Sequence, residues 1–138
     1  MNQILLIDDD GGVRMSLAAT LRRAGFDVMT AADGREGVAL FRTHPIDLVI
    51  TDLIMPTQDG FETIKTVRRL QPSCKIIAIS GGDQAIAERY LKVVAERKDV
   101  ARILTKPFTG SEFLEVVSEV LCGSLLSPGS SVSSEDPL

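Results

Sequence analysis

Five residues spread along the chain have side chains that could do chemistry together: Asp8, Asp9, Asp52, Ser80 and Lys106. Each stands at the end of an apolar run or just beyond it. Ile4 to Ile7 lead to Asp8 and Asp9, Leu48 to Ile50 lead to Asp52, KIIAIS ends on Ser80, and Arg102, Ile103 and Leu104 precede Lys106. Open α/β sheets place their chemistry at the carboxyl ends of their strands. An acid there is costly unless it meets a metal, a partner or a reaction. Gathered carboxylates repel one another, and their pKa values rise unless a cation intervenes. Mg2+ suits such a site, being commonly held by one or two carboxylates, waters and phosphate oxygens. A hydroxyl and a mobile ammonium beside it suggest phosphoryl chemistry, where cations neutralise the equatorial oxygens. A carboxylate can itself be the nucleophile and carry an aspartyl phosphate. No histidine is required, and His44, before Pro45, reads as a solvated loop residue.

These residues need a scaffold that brings strand ends together. The stretch from Asp47 to Gly60, DLVITDLIMPTQDG, supplies a central strand whose apolar run fits burial on both faces. Ile4 to Ile7 form a second such strand, and Gly11-Gly12 marks a turn after Asp8, Asp9 and Asp10. A helix follows over about 13–24, with Val13, Leu17, Leu21 and Ala24 on one face and Gly25 at C′. Residues 26–31 form a strand with one wet side. Asp33 and Glu36 read as a capping box, with Val38 and Phe41 facing inward. Asp59 with Glu62 offers another cap, before a stripe of Phe61, Ile64, Val67 and Leu70. A turn at 71–73 leads to the strand 75–80, broken by Gly81-Gly82. Residues 83–97 read as a long helix carrying Ile86, Tyr90, Val93 and Val94, and 102–104 as a short strand. Thr109 and Glu112 are a further capping box, followed by Phe113, Leu114, Val117, Val120 and Leu121, with Gly123 closing the helix.

Strict βα alternation implies a parallel sheet with helices on both faces and right-handed crossovers. A doubly wound, five-stranded sheet of order 2-1-3-4-5 fits the length and makes strands one and three neighbours. Asp8, Asp9 and Asp52 then converge at the switch point. The sequence after strand one, DDDGGVR, lacks the glycine-rich dinucleotide fingerprint.

The chain has 138 residues, enough for one domain that buries roughly two thirds of its unfolded surface. Its net charge of −4 argues against direct nucleic-acid binding. Cys74 and Cys122 have no metal-like spacing, read as small fillers, and fit a reducing cytoplasm. The start, MNQILLIDDD, lacks the basic region of a signal peptide, and no apolar segment approaches the ~18 residues of a membrane span. The folded part is expected over 1–123. The Ser- and Pro-rich residues 124–138 are read as a flexible tail or the start of a linker.

Taken together, ILLIDDD, LVITDLIMPTQDG, IIAISGG and LTKPF resemble the receiver domains of two-component response regulators, in the manner of single-domain chemotaxis regulators. The similarity covers about residues 3–122. It implies a flavodoxin-like fold with Asp52 as phosphoacceptor and Asp8 and Asp9 as the acidic metal pair, Asp9 being the more direct ligand. It also implies Asp52 and the Ile54 carbonyl completing a Mg2+ site that Mn2+ can share, Ser80 as the switch hydroxyl, and Lys106 as the phosphate-binding lysine before a cis Pro107. Gly82 falls where access of water to the phosphate is influenced. The implied phosphodonor is a sensor histidine kinase or phosphotransfer protein. The helix at 83–97, strand five and the last helix make the face such domains use to dimerise or meet targets. The implied role is a switch with self-catalysed phosphorylation and dephosphorylation rather than a metabolic enzyme.

Two other readings start from the same residues. One is a pseudo-receiver, an interaction module that never turns over phosphate. The other is a small-molecule phosphohydrolase, which needs a second acid and a substrate cap for which no insertion is large enough. The chain also departs from the family pattern. Ile103 stands three residues before Lys106, where receivers usually carry Tyr or Phe, and Ser80 to Lys106 is about a helical turn longer than usual. The expectation is a switch read through the loop and helix after Ser80 rather than through an aromatic rotamer.

Overall fold

The computed structural model describes residues 2–53, 60–81 and 100–122. In chain order these form β1 (Gln3–Ile7), α1 (Gly11–Arg23), β2 (Asp27–Ala31), α2 (Gly34–Thr43), β3 (Leu48–Asp52), α3 (Gly60–Leu70), β4 (Lys75–Ser80), β5 (Arg102–Thr105) and α4 (Gly110–Cys122). The five strands pair in parallel in the order β2-β1-β3-β4-β5, the doubly wound order expected from the alternation. The expected helix at 83–97, the Asp59 cap, Ile54, Gly82, Gly123 and the segment 124–138 lie outside the described residues.

Strand alternation splits the core in two. Ile4, Leu6, Leu48, Ile50, Ile77, Ile79 and Leu104 face α1 and α4, where Leu17, Leu21, Phe113 and Val117 pack against them. Leu5, Ile7, Val49, Ile76 and Ala78 face α2 and α3, meeting Phe41, Ile64 and Val67. β3 is buried at every residue, as a central parallel strand covered on both faces must be. α2 lies close on the sheet at Gly37, where a Cβ would overlap the Ile7 side chain.

Helix ends follow their local chemistry, with some differences from the sequence reading. Gly11 and Gly12 are not a turn but the first residues of α1. Asp10 caps that helix, its carboxylate accepting from the Val13 amide at 3.1 Å. Ala24 is the exposed C-cap, and Ala18 takes its place on the buried face. Gly25 follows with φ +99°, a conformation only glycine adopts freely. Thr109 and Glu112 form the reciprocal box at α4, with bonds of 3.0 and 2.8 Å. At α2, Asp33 accepts from the Glu36 amide at 2.8 Å, but Glu36 reaches one residue further back, to the Ala32 amide. Val38 is only half-buried, and the α3 stripe ends at Val67. Leu70 is exposed, while Thr63 is buried on that helix. Cys74 is buried, but Cys122 is exposed and fills no space in the core.

Candidate functional site

β1 and β3 are adjacent, and Asp8 and Asp52 leave the sheet side by side at their carboxyl ends. Carboxylate oxygens of Asp8, Asp9 and Asp52 lie within 4.8 Å of one another. Asp8 and Asp52 are buried and Asp9 is exposed, so the cluster opens to solvent on the Asp9 side. Lys106 reaches in from the loop after β5. Its Nζ stands 3.7 Å from Asp8 Oδ2 and 3.6 Å from Asp52 Oδ2. Ser80 ends β4, and its buried hydroxyl has no hydrogen-bond partner among the described residues. The structure therefore brings all five side chains singled out in the sequence to one edge of the sheet.

The backbone around them is tightly held. The Asp8 amide donates to the Ala31 carbonyl at 3.2 Å, Asp8 Oδ1 accepts from the Asp10 amide at 2.9 Å, and Arg14 donates to the Asp8 carbonyl at 2.8 Å. Asp8 Oδ2 is left buried with no hydrogen bond among the described residues. Burial pushes the Asp8 carboxyl above its ordinary pKa. The Asp10 amide and Lys106 oppose the shift, and the charges of Asp9 and Asp10 add to it. The Asp52 carbonyl accepts from the buried Thr51 hydroxyl at 3.0 Å. A Cβ on Gly60 would overlap that same carbonyl oxygen, so α3 begins closer to β3 than any other residue would allow. The Lys106 amide donates to the Ser80 carbonyl at 2.8 Å, and a Cβ on Gly81 would come within 2.8 Å of Lys106 Cδ. The Lys106-Pro107 bond is cis, as the resemblance implied. Arg14 and Thr51 were not singled out in the sequence, and Gly81 was read there as the break after its strand. Arg14 carried no signal there, because the bond it makes depends on where α1 begins.

The model of the response regulator receiver domain matches residues 4–118. The chain belongs to that family. This receiver is 33% identical over 120 residues to chemotaxis protein CheY of Thermotoga maritima, covering 86% of the chain and 96% of that protein. It is 30% identical over 136 residues to PhoP, the alkaline phosphatase synthesis transcriptional regulatory protein of Bacillus subtilis. That match takes in 99% of the chain but only 55% of the relative. Among solved structures, a CheY-like receiver domain protein from Methanospirillum hungatei superposes with a TM-score of 0.80 at 25% identity, covering 88% of this chain and 94% of that one. The response regulator TrrA of Thermotoga maritima, solved with Mg2+ and a beryllium fluoride, matches with a TM-score of 0.76 at 28% identity, over 87% and 99% of the two chains. The receiver domain of a two-component system is therefore the unit described here. Such domains bind Mg2+ at an acidic pocket and meet histidine kinases or phosphotransfer proteins; they are not classical enzymes. No helix among the described residues is long and apolar enough to cross a membrane.

Proposed function

We propose that Asp52 accepts a phosphoryl group from a phosphohistidine on a sensor kinase or phosphotransfer protein, and that the acyl phosphate is the signalling state. The observation that carries this reading is the cluster itself. Asp52 ends a fully buried strand beside two further acids, and one ammonium stands within 4 Å of both Asp8 and Asp52. An Asp52 oxygen forms the new bond to phosphorus as the bond from phosphorus to the donor imidazole breaks, the ring keeping the electron pair. Hydrolysis later joins a water oxygen to phosphorus and returns Asp52 as a carboxylate with inorganic phosphate.

The donor set fits a hard divalent cation. Asp8 Oδ2 is buried with no hydrogen bond among the described residues, and three carboxylates share one small space. Asp8, Asp9 and Asp52 would hold Mg2+ or Mn2+, with the Ile54 carbonyl, outside the described residues, as the further ligand. The ion would supply charge neutralisation to the phosphoryl oxygens. Lys106 swings from the carboxylates to a phosphoryl oxygen, and the Ser80 hydroxyl donates to another. We read 1–123 as the folded receiver and 124–138 as a tail or linker, in a cytoplasmic protein. The face of residues 83–97, β5 and α4 is its surface for targets or a second copy.

Intact-mass measurement after incubation with acetyl phosphate and Mg2+ tests the reading. The wild-type chain is expected to gain one phosphate, and Asp52→Asn none. A wild-type chain that gains nothing would point instead to the pseudo-receiver, and labelled Asp52→Asn would move the acceptor elsewhere.

A further inference from the structure

We propose that Arg14 is a positioning residue for the acidic site, locking the main chain of Asp8 so that Asp8 Oδ2 and Asp9 are held ready for the cation. This rests on the reading of that site as a divalent-metal site. Arg14 lies in the first turn of α1, where a cation opposes the helix dipole that the Asp10 cap favours. A residue that breaks a local rule calls for a compensating gain. Side chains on a helix lean toward its N-terminus, so Arg14 reaches back six residues. Its guanidinium donates to the Asp8 carbonyl at 2.8 Å, while its own amide donates to the Asp10 carbonyl at 2.8 Å. Asp10 in turn holds Asp8 Oδ1 with its amide and caps α1 with its carboxylate. The result is a closed ring of Asp8, Asp10 and Arg14.

This ring fixes every polar group of Asp8 but one. The amide is tied to Ala31, the carbonyl to Arg14 and Oδ1 to Asp10; Oδ2, buried, has no hydrogen bond among the described residues. Two anchors hold the main chain and the third restrains the carboxylate through Oδ1, which leaves Oδ2 toward Lys106 within the acidic cluster. Arg14 binds a carbonyl and not a carboxylate, so it steadies the site without taking a ligand from the cation.

Calorimetric Mg2+ titration of the full chain, paired with thermal melts in chelator and in saturating Mg2+, tests this. Arg14→Met keeps the aliphatic stem and is expected to bind Mg2+ about tenfold more weakly, the usual scale for a residue behind a metal ligand. Its Mg2+-dependent rise in melting temperature should shrink accordingly. Arg14→Lys offers one point donor in place of a fork and should fall between. If Arg14→Met does not fold, Arg14→Gln is read the same way. A folded variant with wild-type Mg2+ affinity overturns the proposal. So does one that melts lower in chelator yet keeps the whole Mg2+-dependent rise, since that is a structural role only. Failure of the metal reading looks different: the wild-type chain itself would then bind no Mg2+.

Discussion

Burial at the end of β1 takes Asp8 out of water, and the Asp10 amide and Lys106 offset only part of the cost. Its pKa in the folded chain therefore lies above the ordinary 3.8, so folding favours the protonated acid. The stability that this preference contributes is complete below the unfolded value and is lost as pH rises through the raised folded one. In chelator, wild type should lose stability across that window relative to Asp8→Asn, which cannot titrate. Saturating Mg2+ should cancel or reverse the difference by giving the ionised carboxylate its counter-charge. Parallel melting curves in chelator would place the strain on another residue. Asp9 is exposed, so Asp9→Ala should weaken Mg2+ binding with little change in metal-free stability; unchanged affinity would remove it from the ligand set. Asp8, Asp9, Asp52, Ser80 and Lys106 could be picked from the sequence because each follows an apolar run that ends at the same edge of the sheet. Asp10 and Arg14 could not, because their bonds depend on α1 starting at Gly11, where paired glycines suggested a turn.

Most of the secondary structure was legible because the apolar runs are short, β-branched and separated by helices with clear stripes. What the pattern missed lies at the joints. The close approach of α3 to β3 leaves no trace in the periodicity, yet a Cβ on Gly60 would strike the Asp52 carbonyl and the Leu53 Cα. Gly60→Ala should therefore cost about 1–3 kcal/mol, the range for overpacking a tight contact. It should also slow phosphorylation, because the strained backbone carries Asp52. Denaturant melts and the acetyl phosphate reaction would check both, and an alanine that is neutral in both would show that the joint gives way easily. The capping boxes were readable from residue types alone, though the Glu36 bond to Ala32 shows that the partner amide is set by the local path of the chain. At α4, Thr109→Ala should cost about 1 kcal/mol, since the helix packs Phe113 and Val117 into the larger core. Denaturant midpoints would measure it, and a neutral substitution would show the box to be redundant.

Over the whole molecule, the sheet order followed from alternation and length, but how the site communicates with the surface depends on contacts that no sequence pattern prints. Ser80 and Lys106 are coupled through the backbone: the Lys106 amide donates to the Ser80 carbonyl, and the lysine stem runs against Gly81. On the proposed reading, a phosphoryl group that draws on either side chain would pull on Gly81. Ile103 is placed differently. It pairs with Ala78 in the sheet and packs, half-buried, on the cluster formed with α2 and α3. It is β-branched and stiff about χ1, and it has no polar tip to favour an exposed rotamer. We therefore expect a beryllofluoride phosphate mimic with Mg2+ to change amide exchange from Ser80 through residues 83–97 while leaving Ile103 and its strand quiet. Lys106→Ala should still bind Mg2+ but lose most of that response, because it keeps the amide bond to the Ser80 carbonyl but loses the charge through which a phosphoryl group would draw on it. Exchange changes confined to Ile103 and β5, with residues 83–97 unmoved, would refute this route. A Lys106→Ala chain that responds in full would take the lysine out of it.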